Sequence, residues 1–216
     1  MTTAEAVAGA AYALEVGADA VLAIAPYYEA LEEREIEGYF SALAEVGLPV
    51  MLYNNPYVTG WSLRPELVAR LSRMDGVEYI KDTTPEAATR MFRIQELCGD
   101  EIEYVIGMDT LMFSAFTAGV RGAVWGVANA TPEACVRLWE TTVKEPDIEA
   151  ARALWRAFYP VNRFFEECGY CAGLREAAAM RGMHLGGGRP PVVPLASELR
   201  SELQRLLTDL DAAMQA

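Results

Sequence analysis

Only two of the chain's 18 basic side chains are lysines, Lys81 and Lys144; the other sixteen are arginines. Lys144 lies in the polar stretch Thr142-Val-Lys-Glu-Pro146 and is unremarked there. Lys81 closes the apolar run Val77-Glu-Tyr-Ile80. An amine at the end of a buried strand is partly desolvated, which favours its neutral, nucleophilic form. Such an amine adds to a carbonyl and makes a Schiff base, which withdraws electrons from the neighbouring carbon. The competing use of Lys81 is an ion pair with Asp82 beside it. Tyr53 closes another apolar run, Pro49-Val-Met-Leu-Tyr53. A phenol near an amine relays protons as a general acid or base. Its competing use is ring packing with a local partner for the hydroxyl. Two such side chains on neighbouring strand ends argue for chemistry more strongly than either alone.

Other chemistries are excluded by count. The one histidine, His184, sits in the loop Arg181-Gly-Met-His-Leu-Gly-Gly-Gly188. A histidine triad or a multi-histidine metal site is therefore not expected. Cys168 and Cys171 form a C-x-x-C, but no second pair completes a zinc site and a helical pattern precedes it. Cys98, Cys135, Cys168 and Cys171 read as reduced thiols of a cytoplasmic protein. The charge is 18 − 31 = −13, which argues against nucleic acid and anionic membrane surfaces as partners. No window approaches the roughly 18 apolar residues of a membrane span. The start of the chain lacks a signal-peptide pattern. At 52% hydrophobic and 23% charged, the 216 residues read as globular, with enough length for one large domain or two small ones.

Those side chains need elements to hold them. Strand-length apolar runs are Ala18-Asp-Ala-Val-Leu-Ala-Ile-Ala25, Pro49 to Asn54, Gly76 to Lys81, Glu103-Tyr-Val-Ile-Gly107 and Gly122-Ala-Val-Trp-Gly126. Helical patterns over 4–15, 33–45, 65–73, 86–97 and 110–118 precede them in turn. This alternation predicts successive βα units around a parallel sheet. After Asn129 only helices follow: one opening at Thr131-Pro-Glu, then 147–168, 170–181 and 196–214. No Gly-rich dinucleotide fingerprint follows a strand, which weakens a doubly wound sheet and favours a TIM (β/α)8 barrel with only five units visible. The expected division is a partial barrel over 1–145 and a C-terminal helical extension over 146–216. Reactive residues of such folds gather at strand C-termini. Those ends here are Pro26-Tyr-Tyr28, Tyr53-Asn-Asn-Pro56, Lys81-Asp-Thr-Thr84, Gly107-Met-Asp109 and Trp125-Gly-Val-Ala-Asn129.

Taken in order, these segments resemble the dihydrodipicolinate synthase / N-acetylneuraminate lyase family of pyruvate-dependent class I aldolases. Gly17-Ala-Asp-Ala20 with Pro26-Tyr-Tyr28 resembles the family's fourth strand, and Tyr53-Asn-Asn-Pro56 with Thr59-Gly60 its Y-N-x-P…T-G element. Ile80-Lys81-Asp-Thr83 resembles the sixth strand, Gly107-Met-Asp109 the seventh, and Gly122-Ala-Val124 with Asn129 the eighth. Gly182…Arg189-Pro-Pro-Val-Val-Pro194-Leu195 resembles the C-terminal extension. The resemblance implies a barrel of which strands 4–8 are present. It implies that Lys81 forms an imine with pyruvate or another 2-oxo acid and that Tyr53 shuttles protons, with no metal or organic cofactor. It places Tyr28 where a tyrosine reaches across a dimer interface, and the Val124 carbonyl beside the imine. Thr83, Gly107 and Asp109 fall where substrate is contacted, though they are also ordinary turn residues. A homo-oligomer, a dimer or a tetramer built from dimers, is implied as well.

Two departures shape the expectation. Val58 stands where the synthase branch has an arginine that grips a substrate carboxylate, so the lysine-pathway synthase is not the expected activity. Trp125, bulky beside Val124, is expected to narrow the pocket or stack on the substrate. The family's first three βα units, with their G-T-T-G-E turn, have no counterpart here, which leaves two sheet edges open. The expectation is that the chain is truncated and that the isolated chain is inactive or poorly folded. The alternative to an aldolase or dehydratase is then a catalytically impaired barrel serving as a binding or assembly partner.

Overall fold

A computed structural model describes residues 2–215. The chain forms two units. The first runs to Met108 and adds Val120–Val124; the second holds Asp109–Gly119 and everything from Trp125.

The first unit contains the whole sheet. Its strands are β1 (Val21–Ile24), β2 (Val50–Asn54), β3 (Val77–Asp82), β4 (Glu103–Ile106) and β5 (Gly122–Ala123). They pair in parallel in sequence order, each adding to the same growing edge. This is the topology of consecutive βα units. Among the described residues β1 pairs only with β2, and β5 only with β4. The helices between them are α1 (Thr3–Glu15), α2 (Glu33–Ala44), α3 (Pro56–Thr59), α4 (Pro65–Leu71) and α5 (Ala87–Cys98). Capping boxes start the first two: Glu5 bonds back to the Thr2 N–H, and Glu35 to the Glu32 N–H at 2.7 Å. Ile36, Tyr39, Phe40 and Leu43 form the buried stripe of α2, and Ala87, Met91, Ile94 and Cys98 that of α5.

The predicted elements are present with different limits. The first strand, expected over 18–25, is four residues long, because β2 supplies partners only from Pro49 to Tyr53. The fifth, expected to Gly126, ends at Ala123. The Val124 N–H still bonds the Ile106 carbonyl at 3.0 Å, and Trp125 then turns the chain into a 3-10 turn over Gly126–Asn129. The short α3 is an unpredicted element. Pro56 occupies its first position, the Asn55 carbonyl accepts from Val58 and Thr59, and Gly60, at φ 74°, ends it.

The second unit is helical: α6 (Met112–Thr117), α7 (Pro132–Trp139), α8 (Ile148–Cys168), α9 (Tyr170–Met180) and α10 (Ser197–Gln215). Asp147 caps α8 through the Ala150 N–H at 3.0 Å. Phe158 and Phe165 of α8 are fully buried, as are Leu203 and Leu207 of α10. None of the described helices is long and apolar enough to cross a membrane.

One buried polar cluster ties the sheet together. The fully buried Asp82 carboxylate accepts from Asn54 Nδ2 of β2 at 2.9 Å, Tyr104 Oη of β4 at 2.9 Å and Arg90 Nε of α5 at 3.0 Å. Arg90 also reaches the Leu63 carbonyl at 2.6 Å, and Asn54 Oδ1 takes the Leu63 N–H at 2.8 Å. Burial and the adjacent carboxylate push the Tyr104 phenol well above its ordinary range, so it stays a donor. We predict that Asp82→Ala, which leaves the Arg90 charge without its partner, destabilises the fold by about 3 to 5 kcal/mol in urea unfolding.

Candidate active site

Tyr53 and Lys81 are register partners across β2 and β3. The Lys81 amine lies over the Tyr53 ring, 4.0 Å from its centroid. Lys81 is 8% exposed. Alternation along β3 sends its side chain to the face opposite Asp82. The Asp82 oxygens are taken by Asn54, Tyr104 and Arg90 instead. Among the described residues Lys81 makes no ion pair, so the pairing with Asp82 that adjacency suggested is not formed.

Gly107 makes room for this lysine. Its N–H bonds the Asp82 carbonyl at 2.8 Å, extending the ladder one step past β4. A Cβ there would stand 2.6 Å from Lys81 Cε and collide with Thr83 Oγ1. The Thr83 N–H extends the neighbouring ladder to the Asn54 carbonyl at 2.9 Å. Its hydroxyl oxygen is buried without a hydrogen-bond partner among the described residues. The Tyr53 hydroxyl accepts from Asn55 Nδ2 at 2.9 Å. Sequence reasoning passed over Asn55, although its place two residues after Tyr53 puts both on one side of the chain.

Of the other candidates, Tyr28 and Val124 belong to the first unit and Asp109 and Trp125 to the second. Tyr28 is 95% exposed just beyond β1. Val124 is exposed after β5. Asp109 belongs to the second unit, is buried, and accepts from Tyr170 Oη at 2.6 Å. Tyr170 lies so close to Gly126 that a Cβ there would overlap its hydroxyl. The Trp125 ring packs in that unit against Phe158, 5.4 Å between centroids, and Phe116, at 6.1 Å. Its indole N–H bonds Asn162 Oδ1 at 3.1 Å. All four cysteines are free, and burial pushes the Cys135 thiol up to about 12. No three His, Cys, Asp or Glu side chains among the described residues gather into a metal site.

Parallel βα units with polar side chains collected at the strand C-termini define an α/β protein of the (β/α)8-barrel type. The chain belongs to the Dihydrodipicolinate synthetase family, whose sequence model matches residues 1–210. Members of this family are class I aldolase-type lyases. The chain is 32% identical over 204 residues to a 4-hydroxy-tetrahydrodipicolinate synthase of Pelobacter propionicus, covering 94% of this chain and 69% of that one. It superposes on the dihydrodipicolinate synthase of Acinetobacter baumannii complexed with pyruvate, with a TM-score of 0.90 at 26% identity, over 97% of this chain and 72% of that one. KD(P)GA from T. tenax is similar too, with a TM-score of 0.85 at 28% identity, over 98% and 73%. The chain thus spans about 70% of the length of these relatives.

Gly107 gives this site a direct check. Gly107→Ala places a methyl group where Lys81 Cε and Thr83 Oγ1 now lie. The expected outcome is at least about a tenfold slower reaction of Lys81 with an aldehyde probe, since a displaced amine loses its approach geometry. Unchanged labelling in a mass spectrum contradicts it.

Proposed function

We propose that the chain is a Schiff-base-forming lyase, an aldolase or dehydratase, acting on pyruvate or another 2-oxo acid. The observation that carries this reading is the Lys81 amine, enclosed, without an ion pair among the described residues, and over the ring of its register partner Tyr53. The pyruvate complex of the A. baumannii relative supports the substrate class.

The chemistry follows from the side chains. The Lys81 amine adds through its nitrogen lone pair to the C2 carbonyl, the carbinolamine takes one proton from solvent, water departs, and a protonated imine remains. That imine acidifies C3. Tyr53 carries the proton between the reacting atoms and the site, and the enamine then forms a C–C bond at C3 or expels a leaving group from C4. The reverse direction cleaves the same bond. No metal or organic cofactor enters these steps. Thr83, with its unused buried hydroxyl, is assigned to substrate contact, and Gly107 to the space beside the amine. Val124 is assigned through its carbonyl and Asp109 through its carboxylate. Val58 leaves no guanidinium for a second carboxylate and argues for a substrate other than that of the lysine-pathway synthase. Trp125 is assigned to substrate preference; a Trp125→Ala variant with unaltered preference removes it from the set. Tyr28 and its exposed ring support a homo-oligomer, a dimer or tetramer. A division into a partial barrel over 1–145 and a helical extension over 146–216 is part of the same proposal.

Borohydride reduction in the presence of pyruvate tests the reading. The expected result is a covalent adduct on Lys81, absent in Lys81→Ala. Tyr53→Phe is expected to keep the adduct and lose about a hundredfold or more in turnover. A folded chain that yields no adduct overturns the proposal and leaves a non-catalytic assembly partner as the reading.

A further inference from the structure

Asn55 is a buried amide, 9% exposed, with its two ends used unequally. Its Nδ2 donates to the Tyr53 hydroxyl at 2.9 Å. Its Oδ1 is buried and has no hydrogen-bond partner among the described residues. A buried acceptor left unpaired opposes folding, so an amide kept in this state does not serve stability.

The backbone holds Asn55 in place independently of its side chain. Pro56 keeps it out of the helical region, and it is held at φ −143° and ψ 82°. Its carbonyl accepts the Val58 N–H and Thr59 N–H, each at 3.0 Å, and the Thr59 hydroxyl at 3.1 Å. The neighbouring Asn54 points the other way, into the Asp82 cluster. Asn55 Nδ2 is thus presented to the Tyr53 oxygen from a fixed base.

A phenol oxygen that accepts one hydrogen bond keeps its own O–H free to turn elsewhere. When it gives that proton up, the amide donor remains to stabilise the phenolate. We propose that Asn55 is a positioning residue for proton transfer by Tyr53: Nδ2 fixes the phenol as acceptor, aims its O–H away from Asn55, and supports the phenolate. This rests on the reading of Lys81 and Tyr53 given above. Asn55 acts on the proton step and leaves the addition of Lys81 to the carbonyl untouched.

Two readouts on the full 216-residue chain separate these steps. Pyruvate in D2O reports C3 proton exchange by loss of its methyl NMR signal, and borohydride trapping reports the Lys81 adduct. Asn55→Leu keeps the approximate size and removes both polar ends. It is expected to retain the adduct and the thermal midpoint while exchange slows about tenfold or more. Asn55→Asp keeps the shape, removes the donor and accepts the Tyr53 proton. It is expected to slow exchange likewise, and decides alone if Asn55→Leu does not fold. Wild-type exchange in Asn55→Asp shows that the amide donor is dispensable and overturns the inference. Parallel loss of adduct and exchange in the variants also overturns it, since Asn55 then acts on Lys81 or on the fold. If the unaltered chain forms no adduct, the lyase reading itself fails and this inference falls with it. An adduct without exchange in the unaltered chain retires the Tyr53 role and that of Asn55.

Discussion

The Asp82 carboxylate, closed off from water, must be matched by donors or its burial would oppose folding. Three elements supply them: Asn54 from β2, Tyr104 from β4 and Arg90 from α5. Each donor fixes one neighbour relative to β3. A parallel sheet has a side-chain period of two, so a slip of one residue would reverse the face of every side chain. Tying Asn54 opposite Asp82 also settles Tyr53 opposite Lys81. The candidate site therefore inherits its register from a cluster on the opposite face of the sheet.

Much of this was legible in the chain. Lys81 and Tyr53 stood out because a lysine is rare here and both end apolar runs. The βα alternation gave the sheet and its parallel order. Asp82 was harder to read, because adjacency to Lys81 suggested an ion pair. The partners it found lie 8, 22 and 28 residues away, contacts that sequence spacing does not display. The length of β5 was also hidden. Val-Trp after Gly-Ala reads as strand, yet a strand ends where its ladder ends, and the turn at Gly126 takes the chain out of it. Trp125 reads from sequence as a bulky strand-end neighbour. Its ring and indole N–H have partners on α6 and α8, up to 37 residues away in sequence and invisible to a local pattern.

Two glycines show the same limit from the other side. Gly107 and Gly126 look like ordinary turn residues. In the structure each keeps a space clear: Gly107 for Lys81 and Thr83 in the first unit, and Gly126 for the Tyr170 hydroxyl in the second. Neither has a positive φ, so backbone freedom does not require glycine there. What requires it is the absence of a Cβ, and that follows only from which side chains arrive.

Parity along the strands separates support from chemistry. Asn54, Asp82 and Tyr104 are even-numbered and join one satisfied network. Tyr53, Asn55, Lys81, Thr83 and Gly107 are odd-numbered. Asn55 Oδ1 and Thr83 Oγ1 on their side lack partners among the described residues, as does Thr84 Oγ1 just past the end of β3. The ladder carries this alternation past the formal strand ends, through Thr83 to Asn54 and Gly107 to Asp82. A fold under pressure for stability alone would pair or remove such atoms. Asn55 and Thr83 follow the register partners Tyr53 and Lys81 on the face opposite a fully paired carboxylate, and that face is where the proposed chemistry is placed.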